Sequence, residues 1–128
     1  MKSVTFFLAG IVLLTLLTIL ASCSVIDTTA LPHTPIVKMG ANNFLQPEVD
    51  IKKGQKIDLV NTANDQHVLA NGQWQGSKQV KTTTPGAPSV NLTVQGNQTS
   101  TIGPFNTAGT FHIYCTIHQG MDLVVKVS

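Results

Sequence analysis

Thr110-Phe111-His112-Ile113-Tyr114-Cys115 runs through Thr116-Ile117-His118-Gln119-Gly120-Met121 into Asp122-Leu123-Val124-Val125-Lys126-Val127. Successive side chains on a strand point to opposite faces, so Phe111, Ile113 and Cys115 share one face while His112 and Tyr114 take the other. The thiol therefore stands inward at the end of a hydrophobic row. The last six residues alternate and read as the next strand. Between the two strands, a short loop carries a thiol, an imidazole and a thioether three residues apart. One borderline and two soft ligands so close together make up most of a metal site.

Upstream the chain continues as short strands. Val90-Asn91-Leu92-Thr93-Val94 alternates cleanly, and Thr99 to Phe105 crosses towards the turn at Asn106-Thr107-Ala108-Gly109. Ile36 to Met39, Pro47 to Ile51 and Gln55 to Asn61 read as further strands, the last two separated by a turn around Lys52-Lys53-Gly54. Those lysines, with Lys56, read as a solvated rim. Residues 62 to 89 are expected to be the least regular part, because Asn64-Asp65, Asn71-Gly72, Gly76 and Pro85-Gly86-Ala87-Pro88 punctuate them. Trp74 is the one large apolar side chain there, and a core plug is its expected role. With no helical period, the pattern predicts an all-β sandwich or barrel.

The N-terminus has a different character. Lys2 precedes an apolar run from Phe6 to Leu20, and small residues Ala21 and Ser22 come before Cys23. This predicts an export signal over residues 1 to 22. Leu20-Ala21-Ser22-Cys23 resembles a bacterial lipobox, which implies a lipid anchor on Cys23 as the first residue of the mature chain. Two acyl groups suffice for stable attachment. Residues 23 to 35 include Pro32 and Pro35, lack periodicity and read as a tether. His33 is expected there as a solvated residue, and residues 36 to 128 are expected to form one domain.

Composition narrows the classes further. The 128 residues hold 8 Lys+Arg against 6 Asp+Glu for a net charge of +2, about +1 once Lys2 is removed. That balance argues against a nucleic-acid partner and against strong electrostatic steering. With Cys23 acylated, Cys115 is the only thiol of the folded domain. A solitary cysteine in an oxidising compartment calls for a reason, and metal ligation supplies one. An inert buried thiol is the plain alternative.

Three stretches together resemble a known family: Phe44-Leu45-Gln46-Pro47-Glu48-Val49 with the Gly54 turn, Asn61 through His67, and Gly109 through Met121. The chain resembles the cupredoxins, the type I (blue) copper proteins of the plastocyanin, pseudoazurin and amicyanin group, over residues 36 to 128. The C-terminal loop is the most specific part, and its two residues between each pair of ligands most resemble amicyanin. The resemblance implies a Greek-key β-sandwich and one copper ion cycling between Cu(I) and Cu(II). It implies a thiolate ligand from Cys115, imidazoles from His118 and His67, and an axial thioether from Met121. Of the other histidines, His33 lies in the tether and His112 points away from Cys115.

Finer roles follow from the same resemblance. The N–H of Val68 is expected to donate to the thiolate sulfur, and Asn61 to brace the ligand loops. Ile117 and Gly120 are expected to form an apolar surface where protein redox partners dock near His118. Thr116, Ile117 and Gln119 depart from the family, which often has proline in this loop, and they leave the Gln119 amide free to hydrogen-bond. Asp122 and Leu123 stand where many relatives have glycine.

The implied function is single-electron transfer by a monomer held at a bacterial membrane, periplasmic or on the outer face of the cell membrane. Thiolate and thioether suit Cu(I) while imidazoles retain Cu(II), so one rigid geometry serves both states. Copper storage or delivery is the alternative that the same ligands would serve. Zinc could use the thiolate and two imidazoles, although a methionine ligand argues against it. No catalytic acid, base or substrate pocket is identifiable, so neither an enzyme nor a small-molecule substrate is expected.

Overall fold

Nine strands make up the regular structure of residues 33–128, which the computed structural model describes. Residues 1 to 32, which include the expected export signal, Cys23 and most of the expected tether, lie outside the described residues. The strands are β1 (Ile36–Met39), β2 (Glu48–Ile51), β3 (Ile57–Asn61), β4 (His67–Gln75), β5 (Lys78–Lys81), β6 (Asn91–Val94), β7 (Thr99–Ile102), β8 (Gly109–Cys115) and β9 (Asp122–Val127).

They form two sheets. One has the order β1-β3-β7; the other has β2-β9-β8-β4, with β4 pairing β6 over its first four residues and β5 over its last four. Neighbours far apart in sequence, such as β2 with β9 and β4 with β8, give the Greek-key sandwich expected. The alternation explains the layering. Val37, Met39, Ile57, Leu59 and Ile102 face inward from the first sheet, and Leu69, Val94, Phe111, Ile113, Cys115, Leu123 and Val125 from the second. Burying side chains of this kind contributes roughly 1.5–3 kcal/mol each. The row ending at Cys115 thus sits in the core.

The stretch 62 to 89 departs from expectation. It contains β4, which at nine residues is the longest of the described strands, and β5. Asn71-Gly72 is not a turn but strand interior. The Asn71 side chain accepts from Val90 N–H at 2.7 Å and donates to Pro88 O at 3.1 Å. Gly72, at φ +129°, lets β5 cross so closely that a Cβ would lie 2.2 Å from Val80 O. A local turn signal lost here to tertiary pairing.

Trp74 also departs from its expected role. It lies outside the buried core, on the outer side of the second sheet, where its ring meets Tyr114 edge-on with centroids 6.1 Å apart. Tyr114 does point away from Cys115 along β8, yet it is fully buried. The Trp74 ring helps to cover it.

Candidate metal centre

The candidate ligands come from β4 and the β8–β9 loop. Cys115 ends β8 and is paired with Leu69, two residues after His67 opens β4, so antiparallel pairing brings the two to one end of the sandwich. The ligand atoms of His67, Cys115 and His118 all lie within 4.8 Å of one another. His118 Nδ1 is 3.1 Å from His67 Nδ1 and 3.4 Å from Cys115 Sγ. The two imidazoles meet edge to face with centroids 4.9 Å apart.

Met121 closes the loop. Its N–H donates to His118 O at 3.2 Å and its carbonyl accepts from Cys115 N–H at 2.9 Å, which holds it beside both residues. Its side chain is buried. Gly120 makes this turn with φ +75°, a backbone conformation that costs other residues about 1–2 kcal/mol.

His67 is fixed from behind. Its Nε2 lies 2.9 Å from Gly40 O, and a ring nitrogen facing a carbonyl carries the hydrogen. Nδ1 is then the bare nitrogen, directed at His118. Gly40 is placed in turn by its N–H bond to Asn43 O, and the adjacent Met39 O accepts from both N–H and Oγ1–H of Thr62. Burial lowers the pKa of His67 first and foremost, with a smaller lowering from His118; the Gly40 contact and Asp65 oppose them. The ring is therefore held in the neutral form that binds metal.

Two expected supports differ in detail. Val68 meets the ligand loop through its carbonyl, which accepts from Thr116 N–H at 2.8 Å and Thr116 Oγ1–H at 3.2 Å. Among the described residues its N–H makes no bond to the sulfur. Leu69, the next residue, lies opposite Cys115 in the β-ladder, and this register leaves the Val68 carbonyl facing Thr116. Asn61 braces the approach to His67 rather than the 116–121 loop. It donates to Asp65 O at 2.7 Å and Gln95 O at 3.1 Å and accepts from Ala63 N–H at 3.0 Å. Asn61 faces inward at the end of β3, so its amide reaches the 61–65 turn and the β6–β7 turn packed on it.

The donor chemistry fits a copper ion. Metal bonds of about 2.0 Å to nitrogen and 2.3 Å to sulfur let one ion reach any two atoms roughly 3–3.5 Å apart. Thiolate sulfur with two neutral imidazoles is a copper or zinc set, and a neighbouring thioether selects for copper. Cys115 and His67 are completely buried, whereas His118 is partly exposed beside Ile117, which is 50% exposed. His33 is exposed, and His112 lies on the face of β8 opposite to Cys115. Sequence reasoning missed Gly40, whose carbonyl acts without any side chain, and the contacts of Trp74 and Gln79 with the loop.

A β-sandwich with a buried thiol and two imidazoles at one end defines a mononuclear metal-binding β protein. The sequence profile of copper binding proteins of the plastocyanin/azurin family matches residues 34–128. The chain belongs to that family, and its cofactor is a single copper ion. Amicyanin from Paracoccus versutus has the same fold, with 22% identity and a TM-score of 0.57 over 78% of this chain and 86% of that one. An oxidised amicyanin mutant is 19% identical, with a TM-score of 0.56 over 74% of this chain and 82% of that one. A copper-containing nitrite reductase from Thermus scotoductus SA-01 gives 21% identity and a TM-score of 0.57 over 76% of this chain but 23% of its own. No curated protein matches.

Proposed function

We propose that the protein is a single-electron carrier in which His67 Nδ1, Cys115 Sγ, His118 Nδ1 and the Met121 thioether hold type I copper. When bound, copper supplies a one-electron couple whose two states this mixed donor set accommodates. The observation that carries the reading is the uneven burial of the cluster. His67, Cys115 and Met121 are shut away from water, and only His118 reaches towards the surface, beside exposed Ile117. The buried residues exclude solvent and fix the donors. The His118 edge offers a protein partner the shortest way in, so redox partners would dock there.

We read the protein as a carrier rather than an enzyme, acting as a monomer. The export signal and Leu20-Ala21-Ser22-Cys23 support a further proposal, that it works outside the cytoplasm as a lipoprotein anchored through Cys23. Optical and electron paramagnetic spectra of the copper-loaded protein, with a redox titration, test the main reading. An intense thiolate-to-copper absorption and a reversible one-electron couple are expected. Stoichiometric copper without either would sink it, and rapid copper transfer with slow electron exchange would favour delivery instead.

A further inference from the structure

The β4–β5 hairpin grips the outside of the ligand loop. Trp74 Nε1–H donates to Cys115 O at 2.8 Å, and Gln79 Nε2–H donates to Thr116 O, also at 2.8 Å. Gln119 Nε2–H reaches back to Gly76 O at 3.5 Å. The first two bonds take successive carbonyls, those of the thiol residue and its neighbour. From the other side, Thr116 N–H and Oγ1–H hold Val68 O, so the Cys115–Thr116 segment is fastened on both flanks.

The gripping side chains are themselves held. Gln79 Oε1 accepts from Tyr114 Oη–H at 3.3 Å, and the Tyr114 ring packs edge-on to Trp74 at an interplanar angle of 88°. Trp74 N–H donates to Asp122 Oδ1 at 2.8 Å, which ties the hairpin to β9 just beyond Met121. No proline stiffens residues 115 to 121 from within. External hydrogen bonds add to the loop's own Cys115–Met121 and Met121–His118 bonds in holding its backbone still, and groups behind the ligands commonly govern how a metal site behaves.

We infer that Trp74 and Gln79 are positioning residues that hold the Cys115–Thr116 backbone in one place through oxidation and reduction. The redox purpose rests on the electron-carrier reading, while the mechanical part does not require copper. In the full-length protein, Trp74→Phe, Gln79→Ala and the double variant test it by hydrogen exchange without metal and by electron self-exchange with copper.

Exchange is read at the N–H groups of Cys115, Thr116 and Met121, which bond to Met121 O, Val68 O and His118 O. In the double variant these should exchange about tenfold faster, as expected of local opening, while Asp58 and Asn61 N–H stay unchanged. The copper-loaded double variant should keep its charge-transfer band but slow in self-exchange. Unchanged protection, or faster hydrogen exchange with unchanged self-exchange, overturns the inference. If Trp74→Phe does not fold, Gln79→Ala alone decides at Thr116 N–H, because residue 79 is exposed. A wild-type protein without the charge-transfer band would defeat the electron-carrier reading and leave the metal-free exchange result standing.

Discussion

His67 Nε2 lies 2.9 Å from Gly40 O, so one backbone carbonyl decides which nitrogen of this imidazole is left bare towards His118 and the candidate metal site. The same contact sits where burial depresses the His67 pKa. A base with a lowered folded pKa favours folding when neutral, because below pH about 6.5 the unfolded chain takes up the proton more readily. The metal-free protein should therefore be fully stable above that pH and lose stability as pH falls from 6.5 through the folded value. Urea unfolding at pH 7.5 and pH 5 is expected to show the lower midpoint at pH 5. His67→Gln should reduce that difference, and an undiminished difference would place its origin elsewhere.

Asn61 is 1% exposed and its amide ties together the turn before His67 and the one after β6. Asn61→Ala leaves buried backbone groups without partners, at about 1–3 kcal/mol for each one that water cannot reach. We expect a loss of roughly 3 kcal/mol in chemical unfolding, with weaker copper retention against a chelator. Wild-type stability in this variant would mean that the brace is dispensable.

Two glycines distinguish crowding from backbone conformation. At Gly72 an added Cβ meets Val80 O as well as an unfavourable φ, whereas at Gly120 nothing lies within 4 Å. Gly72→Ala should cost about 3 kcal/mol or more. Gly120→Ala should cost only about 1–2 kcal/mol. Thermal unfolding of the two variants should preserve that order.

Ile117 is half exposed beside His118 and absent from the buried core. Ile117→Lys should leave folding within about 0.5 kcal/mol of wild type, as surface substitutions usually do. It should nevertheless slow electron exchange between copies of the protein, since it puts a charge at the proposed contact. Unchanged self-exchange would move the docking surface away from this edge.

The proposed anchoring is tested at Cys23. Cys23→Ser removes the thiol that acylation requires, so the protein should lose its acyl mass and leave the membrane fraction. Retention on membranes without acylation would argue for a different attachment.

How much of this was legible in the sequence depended on what carried the information. Alternation marks β2, β3, β6, β8 and β9, and three ligand candidates stand in one loop because a tight turn keeps them near in sequence. Position 67 stands out only through family resemblance, as pairing between β4 and β8 leaves no local trace. The stretch 62 to 89 misled for a related reason: Asn71-Gly72 looks like a turn wherever the neighbouring chain is unseen, and here β5 passes over it. Gly40 was invisible because its contribution is a carbonyl that every residue possesses. The size of Trp74 suggests a core plug, yet its indole N–H is what touches the loop.

The position of β9 between β2 and β8 has a consequence for when the protein can acquire its metal. Until residues 122 to 127 are present, β8 has only β4 beside it and β2 has no place in the sheet. A chain that lacks these residues has β8 paired on the β4 side alone, and the loop that carries His118 and Met121 has no strand at its far end. The complete copper site is therefore expected only once the polypeptide has folded through β9, so a chain that crossed a membrane unfolded would take up copper afterwards.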